Sequence, residues 1–439
     1  MVPFCGFFYR ESIMPSLAPH TLQPVTGLPL PVDLARELRH LPGFVFLDSS
    51  SADSVNPRSD QDRFSLITAC PETVFEGNLF AEKDFEKLRE VYLRNLADEN
   101  HSADFGFPNI GLYGTISYEG DFRFGLYREC LVFDHAEENW FELGSLSQRR
   151  MVGSPFNVKS PRKLQFESGM SGADFCDKVR TAQDYIAAGD IYQVNLSHRF
   201  TAKVGPDFDN FRLYRSLRDR SPAPYSAFIC EEDREVLSSS PEQFLSLSGR
   251  SIRTRPIKGT RPRFRVREKD EKSAYDLLTS TKEVAELIMI TDLERNDLGQ
   301  ICEFGTVEAT ELLKLERFAQ VFHLVSTVEG TLREEVDAIS ALRACFPGGS
   351  ITGAPKKRAR EIIEELEPVK RGLYTGAIGC FGFNGESRFN IAIRTAIREG
   401  ETLHFHVGAG IVADSDPEKE WEETLHKAAG ILQAAESMS

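Results

Sequence analysis

Lys258 is the side chain in this 439-residue sequence whose surroundings best suit it to chemistry. It stands between prolines and a glycine in a short basic segment, from Arg255 to Arg263. Neighbouring cations and partial burial disfavour an ammonium ion, so we predict a turn that holds Lys258 partly as a free amine, and hence as a nucleophile. The alternative is a solvated basic loop or an anion site, which is what most such clusters are.

Two pairs of glutamates have a spacing that places both members of a pair on one face of a helix. Glu283 and Glu286 lie on a helix predicted over 282–298, and Glu420 and Glu423 lie on a second predicted helix. Acidic residues near the start of a helix usually complement its dipole. That is the ordinary explanation for either pair taken alone.

Two predicted strands carry polar side chains on one face. Alternation in 191–197 places Gln193 and Asn195 opposite the apolar positions, and alternation in 388–395 places Arg394 opposite three apolar residues. Such a face lines a cleft or meets water, and water is the commoner answer in an antiparallel sheet.

Glu242 and His323 occur singly, and each has an ordinary explanation. Glu242 follows a proline at the predicted end of a run, where a lone glutamate is usually exposed on a turn. His323 lies inside an apolar run, as a core histidine would. The glycine-rich segment 347–356 lacks the Gly-Lys-Ser/Thr ending of a phosphate loop, so we do not expect ATP or GTP binding.

Taken together, these segments resemble the chorismate-utilising enzymes. The resemblance rests on 255–263, on the Pro-Gly-Gly-Ser-x-Thr-Gly-Ala-Pro-Lys block of 347–356, and on the glycines of 408–410. Family members that form anthranilate usually carry alanine where this chain has Lys258, whereas members that form aminodeoxychorismate carry lysine. The resemblance therefore implies amination of chorismate to 4-amino-4-deoxychorismate, the precursor of p-aminobenzoate in folate synthesis.

The resemblance also implies roles for the candidate residues. Lys258 would attack ring carbon C2 while Glu242 protonates the departing C4 hydroxyl, a task for a carboxyl group of raised pKa in a dry pocket. Glu283, Glu286, Glu420 and Glu423 would hold Mg2+ together with a substrate carboxylate. The implied substrate contacts are Arg394, which binds the enolpyruvyl carboxylate, and Tyr374, Gly408, Ala409, Gly410, Ser350, Thr352, His323, Gln193 and Thr260.

Gln193 and the implied partner protein both indicate that the group added to the substrate is ammonia. In isochorismate- and salicylate-forming relatives the position of Gln193 is a lysine that activates water, so glutamine implies that nitrogen is added instead of oxygen. The family takes its ammonia from a glutaminase. No block of this sequence resembles one, so the resemblance implies a separate glutaminase subunit in a heterodimer.

Two alternatives stay open. Anthranilate synthase component I shares almost every motif except Lys258. A non-catalytic, amino-acid-binding paralogue is the other, although the retention of Lys258, Glu242 and both glutamate pairs argues against it. Whether tryptophan binds between the halves, near 47–49 and 221–225, is not decided by the sequence.

Composition limits the remaining classes. With 41% hydrophobic and 27% charged residues the chain has the make-up of a folded globular protein, and a net charge of −15 argues against nucleic-acid binding. Eight cysteines without a Cys-x-x-Cys pair, no apolar run of membrane-spanning length and no signal-peptide pattern at the N-terminus predict a cytoplasmic protein. Met14 is an alternative start to Met1.

The resemblance implies an α+β fold, in which two facing antiparallel β-sheets form a sandwich with helices on the outside. Turn-rich and basic segments divide the chain into an N-terminal region over 15–145, a linker over 146–170 and a catalytic domain over 171–434.

Three helices have clear start or stop signals. One is predicted around 83–97, and a second begins after Ser171 and stops at Gly189. The C-terminal helix is predicted to begin with Asp416 as its cap and Pro417 at its first position.

Overall fold

The structure is a computed structural model, which describes residues 22–50, 63–96, 106–152, 164–318 and 320–438. The α-helices in these ranges are Pro31–Leu38 (α1), Glu82–Asn95 (α2), Gly172–Ala187 (α3), Asn210–Arg220 (α4), Arg267–Leu278 (α5), Thr281–Gly299 (α6), Ala338–Cys345 (α7), Lys356–Leu366 (α8) and Pro417–Glu436 (α9). The strands are Gln23–Val25 (β1), Val45–Asp48 (β2), Phe64–Thr68 (β3), Thr73–Asn78 (β4), Gly111–Ile116 (β5), Asp121–Tyr127 (β6), Cys130–Asp134 (β7), Asn139–Leu143 (β8), Glu167–Ser168 (β9), Gln193–Lys203 (β10), Tyr225–Cys230 (β11), Arg234–Ser240 (β12), Gln243–Ser248 (β13), Ser251–Arg255 (β14), Ile257–Pro262 (β15), Glu308–Arg317 (β16), Val321–Thr331 (β17), Gly353–Ala354 (β18), Ala377–Gly382 (β19), Glu386–Ile391 (β20), Thr395–Glu399 (β21) and Thr402–Ile411 (β22).

Two large antiparallel sheets hold these strands. The first has twelve strands in the order β1-β8-β7-β3-β2-β11-β12-β21-β22-β10-β18, with β9 paired to β10. The second has ten in the order β15-β17-β14-β13-β20-β19-β5-β6-β4, with β16 paired to β17. The predicted α+β fold of two antiparallel sheets is thereby confirmed.

Period-two alternation explains how the sheets face each other. On β11, Ala227 and Ile229 belong to the apolar cluster shared with Ile378 of β19 in the other sheet, whereas Phe228 packs with the helices outside. Apolar side chains on both faces of a strand require cover on both sides. The outer layers are helical, with α4 and α9 on the first sheet and α2 on the second.

The N-terminal strands share both sheets with the rest of the chain. They form one block at an end of each sheet, joined to the later strands where β2 pairs with β11 and where β5 pairs with β19. The division at 146–170 stays a prediction, and residues 153–163 of that linker lie outside the described residues. Met1 and Met14 also lie outside them, as does Ala97 at the end of the predicted 83–97 helix.

Cap signals located the helix ends well. Ser171 accepts a hydrogen bond from the Asp174 amide at the start of α3, and Gly189 follows that helix with a φ of 82°. Asp416 caps α9 with Pro417 at its first position, as predicted. Among the described residues, no helix is long and apolar enough to cross a membrane.

Two local predictions are wrong. Lys258 is not on a turn: it lies on β15, which pairs with β17 and has a register irregularity between Lys258 and Thr260. The strand predicted over 388–395 is interrupted after Ile391, because the chain leaves the second sheet there and enters the first at Thr395.

Candidate active site

The polar face of β10 is buried against glycines of β22. Asn195 pairs with Gly410 in the register of the two strands, and Gln193 and Asn195 are only 1% and 8% exposed. A methyl group built on Gly408 would lie 2.7 Å from Asn195 Oδ1 and 2.9 Å from the Tyr374 hydroxyl oxygen, and one on Gly410 would lie 2.7 Å from Gln193 Nε2. The glycines therefore let polar side chains converge on bare backbone.

Ala409, between these two glycines, differs from them. Its side chain is fully buried in the apolar cluster on the outer face of the sheet. Of the predicted substrate contacts in this strand, Ala409 could therefore offer only its backbone.

Lys258 reaches the loop between α7 and α8. Its Nζ donates a hydrogen bond to the carbonyl oxygen of Ser350 at 2.9 Å. Thr352, in the same loop, donates its hydroxyl hydrogen to Gly348 O at 3.0 Å, so that this side chain holds the loop together. The predicted site residues Lys258 and Ser350 are thus in contact.

Carboxylates, and not arginines, are the charged neighbours of this lysine. The charge of Lys258 acts to lower the pKa of three glutamates, Glu242, Glu286 and Glu423. The flanking arginines make ion pairs with other acids: Arg255 with Glu316 at 2.6 Å, Arg261 with Glu283 at 3.3 Å and Arg263 with Asp270 at 2.9 Å. The predicted crowding of this amine by arginines is therefore wrong, because strand geometry turns each arginine to its own acidic partner.

Glu242 is a buried carboxyl group between β12 and β13. It is 5% exposed, and its backbone carbonyl accepts a hydrogen bond from the Ile391 amide at 3.0 Å. Burial raises the pKa of Glu242, while Ser350, Lys258 and Lys427 oppose the shift. This is the direction that a general acid needs.

Arg394 lies where the chain passes from one sheet to the other. Its φ of 49° is unusual for a residue with a side chain, and such strain is held at functional sites more often than elsewhere. Burial lowers the pKa of Arg394, whereas the charge of Glu242 raises it. Within the described ranges the Arg394 guanidinium has no hydrogen bond or ion pair, and only the backbone carbonyl of this residue accepts a bond, from the Ser239 amide at 3.1 Å. The guanidinium is therefore free to bind an anion.

His323 and Thr260 are paired across β15 and β17. Thr260 Oγ1 and His323 Nδ1 are 3.0 Å apart, and the ring of His323 is buried. Burial, and then the charge of Arg394, lower the pKa of His323 to about 3. The imidazole is therefore neutral at physiological pH.

Each of the four predicted metal-binding glutamates faces a basic side chain. Lys282 Nζ lies 2.6 Å from Glu420 Oε1 and 4.0 Å from Glu286 Oε1. Lys427 pairs with Glu423 at 2.7 Å, and Glu283 pairs with Arg261. No group of three or more His, Cys, Asp or Glu side chains within the described residues is arranged to hold a metal ion.

The carboxylates nevertheless fit a hard cation. Glu286 and Glu420 are 8% and 2% exposed, and the oxygens Glu286 Oε1 and Glu420 Oε2 have no hydrogen-bond partner. Buried carboxylate oxygens without donors are the ligands that Mg2+ takes. Burial raises the pKa of Glu286, and Lys258 and Lys282 oppose it.

Sequence reasoning missed Arg371, which holds several parts of this site together. Its guanidinium donates to Asn195 O at 2.7 Å, to Ile351 O at 2.9 Å and to both oxygens of Glu367. A hydrogen-bond hub of this kind leaves no local signal in the sequence, because its partners are distant along the chain.

His406 was also missed. Its ring stacks on that of Tyr374 with centroids 5.2 Å apart and planes 17° from parallel. It sits two residues before Gly408 on the same face of β22, and that alternation is the signal that could have located it.

Comparison with known proteins identifies the family. The chorismate binding enzyme family matches residues 63–433. The chain is 39% identical to aminodeoxychorismate synthase component 1 of Bacillus subtilis, over 82% of this chain and 83% of the relative. It is 45% identical to an anthranilate synthase component 1 of Haloarcula marismortui, over 93% of this chain and 75% of the relative.

Solved structures agree on the fold. Anthranilate synthase component I from Streptococcus pneumoniae superposes with a TM-score of 0.74 at 31% identity, covering 84% of this chain and 92% of that one. The menaquinone-specific isochorismate synthase from Escherichia coli has a TM-score of 0.75 at 18% identity and 94% coverage of both chains, which is a likeness of fold alone. The chain belongs to the chorismate binding enzyme family, in the group whose relatives are aminodeoxychorismate and anthranilate synthase components.

Proposed function

We propose that this chain is the chorismate-aminating subunit of an aminodeoxychorismate synthase. The observation that carries the proposal is Lys258, which lies beside a buried carboxyl group of raised pKa, Glu242. A two-step exchange of a hydroxyl group for an amine requires a nucleophile and a proton donor that act on the same substrate ring, and Lys258 and Glu242 can fill these roles.

The proposed reaction begins with binding and a covalent step. The enolpyruvyl carboxylate of chorismate binds Arg394, and the nitrogen electron pair of Lys258 Nζ forms a bond to ring carbon C2. The electron pairs of the two ring double bonds shift towards C4, and the C4–O bond breaks as Glu242 donates its proton, so that water leaves.

The second step adds nitrogen. Ammonia bonds to C4, the double bonds shift back, and Lys258 leaves C2 with its electron pair. The C4 ammonium group then returns a proton to the Glu242 carboxylate. The sum is chorismate plus ammonia giving 4-amino-4-deoxychorismate plus water. Neutral His323 and Tyr374 border the ring and add no charge to the site.

We further propose Mg2+ as the cofactor. Glu286 and Glu420 would hold it, with Glu283 and Glu423 beside them, because the first two have buried oxygens without a donor. Bound there, Mg2+ would offset the repulsion between these carboxylates and the ring carboxylate of the substrate.

The ammonia would come from a separate glutaminase subunit. Two of the relatives are described as component 1 of their synthases, which implies a second component. We propose a heterodimer in the cytoplasm, a reducing compartment that suits the free cysteines found among the described residues.

Product analysis tests the proposal. The purified chain is mixed with chorismate, Mg2+ and an ammonium salt, and the products are followed by mass spectrometry. We expect aminodeoxychorismate without release of pyruvate. Anthranilate with stoichiometric pyruvate as the main product would refute the assignment.

Anthranilate synthase component I is the second candidate, because an anthranilate synthase is the relative with 45% identity over 93% of this chain. The two functions share the carboxylate and arginine contacts and differ in the use of Lys258. The same product analysis therefore distinguishes them.

A further inference from the structure

Lys282 occupies a particular place between two helices. It lies in the first turn of α6, one turn before Glu286, and its ammonium group reaches across to Glu420 in the first turn of α9. Its Nζ is 2.6 Å from Glu420 Oε1 and 4.0 Å from Glu286 Oε1. Lys282 thus lies between two buried carboxylates, one on each helix.

The two carboxylates are only partly satisfied by this lysine. Glu420 Oε1 also accepts from the Ser415 hydroxyl at 2.7 Å, but Glu420 Oε2 and Glu286 Oε1 have no hydrogen-bond partner. A buried acceptor left without a donor destabilises the folded protein. Two carboxylate oxygens of this pair therefore remain without a donor and can accept a further cation.

We propose that Lys282 is the resident counter-cation of the Glu286–Glu420 pair and that it competes with the divalent cation for these carboxylates. The inference rests on the metal site of the proposed function. Mg2+ and the ammonium group would repel each other at such close range, so binding of the metal requires Lys282 to leave Glu420.

The lysine has a route by which to leave. Its side chain is 43% exposed, and the flexible four-carbon stem of lysine lets the ammonium group turn to solvent without a change in the backbone. Glu286 and Glu420 are buried and stay in place.

A lysine at this position keeps the metal-free site intact. Its ammonium group lies 2.6 Å from Glu420 Oε1 and 4.0 Å from Glu286 Oε1, so its charge offsets the repulsion between these two carboxylates. Without any cation, like charges on two helices would push the helices apart. The same attraction is what Mg2+ must overcome, so Lys282 lowers metal affinity while it stabilises the empty site.

Metal binding is measured directly in the test, by calorimetry with Mg2+ and by electron paramagnetic resonance with Mn2+, in the absence of substrate. For Lys282→Met we expect affinity about tenfold tighter than that of the wild type, because the competing charge is gone. Lys282→Arg keeps a cation there and should bind as weakly as the wild type.

Lys419→Met is the matched control, because it removes the same charge from an exposed position next to Glu420 in the sequence. Solvent screening should limit its effect to less than about threefold. Adding Glu286→Gln to Lys282→Met should abolish the gain, which would locate the metal at this carboxylate pair.

A second readout is independent of affinity. Lys282→Met should have a lower melting temperature than the wild type without metal, and Mg2+ should raise it by more than it raises that of the wild type. Equal or weaker Mg2+ binding by Lys282→Met, or no saturable binding by either protein, would overturn the proposal. The product formed from chorismate has no bearing on these outcomes, so failure of the substrate assignment is distinguishable.

Discussion

Lys258 can be tested as a nucleophile because arginine separates charge from reactivity. Lys258→Ala should lose at least about a hundredfold in turnover. Lys258→Arg keeps the positive charge beside the carboxylates but is a very poor nucleophile, so we expect it to be equally inactive.

Mass spectrometry completes that test. With ammonia withheld, the wild type should accumulate a substrate adduct on Lys258. Substantial activity of Lys258→Arg, with no mass increase on this lysine in the wild type, would show that ammonia attacks directly while leaving the substrate assignment standing.

The proposed metal ligands are tested by removal of charge at constant size. Glu286→Gln and Glu423→Gln should each lower Mg2+-dependent turnover at least about a hundredfold, with circular dichroism unchanged. Glu422→Gln, exposed on the same helix as Glu423, is the control and should behave as wild type. Unchanged Mg2+ dependence in both site variants would mean that these glutamates only complement helix dipoles.

The buried carboxyl group of Glu294 should make the free energy of unfolding depend on pH. It is 6% exposed and accepts from the Thr254 hydroxyl at 2.8 Å, and burial, with smaller contributions from Glu242 and Asp297, raises its pKa from 4.5 to about 8. Between these values the folded chain keeps a proton that the unfolded chain releases. The contribution of Glu294 to the free energy of unfolding is therefore greatest below about pH 4.5 and is lost as the pH rises towards 8.

In Glu294→Gln the side chain at this position cannot ionise, so the variant should not lose stability as the pH rises. Relative to wild type, its free energy of unfolding should grow between pH 5 and 8, by up to about 4 kcal/mol, and then level off. Urea unfolding at a series of pH values measures the difference, with the exposed Glu364→Gln as control. A pH-independent difference would show that Glu294 is ionised in the folded protein.

Sequence signals located the helix starts, which depend on neighbouring residues, and missed the strand pairings, which depend on residues distant along the chain. The caps at Ser171 and Asp416 fixed the starts of α3 and α9, because a cap involves only neighbouring residues. Arg394 was assigned to a strand because its alternation is unbroken. The change of sheet after Ile391 depends on which strands pair with β20 and β21, and no local pattern contains that information.

We predict that Arg371 positions β10, through Asn195 O, and the loop between α7 and α8, through Ile351 O. Arg371→Lys keeps a charge for Glu367 but cannot reach Asn195 O and Ile351 O together, so we expect a loss of about 3 kcal/mol in unfolding free energy. Because Ile351 adjoins Ser350, the KM for chorismate should rise more than kcat falls.

The control for that prediction is Arg358→Lys, which alters an ion pair with Asp190 of which both partners are more than one third exposed. Its effect on unfolding should be much smaller than that of Arg371→Lys, with KM unchanged. Loss of stability in Arg371→Lys with an unaltered KM would make Arg371 a purely structural residue.

The two parts predicted from composition are joined by strand pairing at β2 with β11 and at β19 with β5. Side chains join them as well, for example in the ion pair between Arg89 and Asp337 at 2.6 Å. A linker can be predicted from local composition. Pairing between strands that are distant along the chain cannot, because no local pattern specifies it. The structure therefore predicts that the later part does not fold alone. Without residues 1–163, β11 and β19 would become edges, although nearly all their residues are buried in the full chain.

A chain of residues 164–439 should accordingly aggregate or unfold without cooperativity, because two bare edges with apolar side chains on both faces are templates for pairing with other chains. The full chain should unfold in one transition, with the same midpoint by tryptophan fluorescence and by circular dichroism. Trp140 on β8 and Trp421 on α9 report on the two parts separately. A soluble 164–439 fragment that binds chorismate, or separate transitions for the two tryptophans, would instead establish a catalytic domain that begins after the predicted linker.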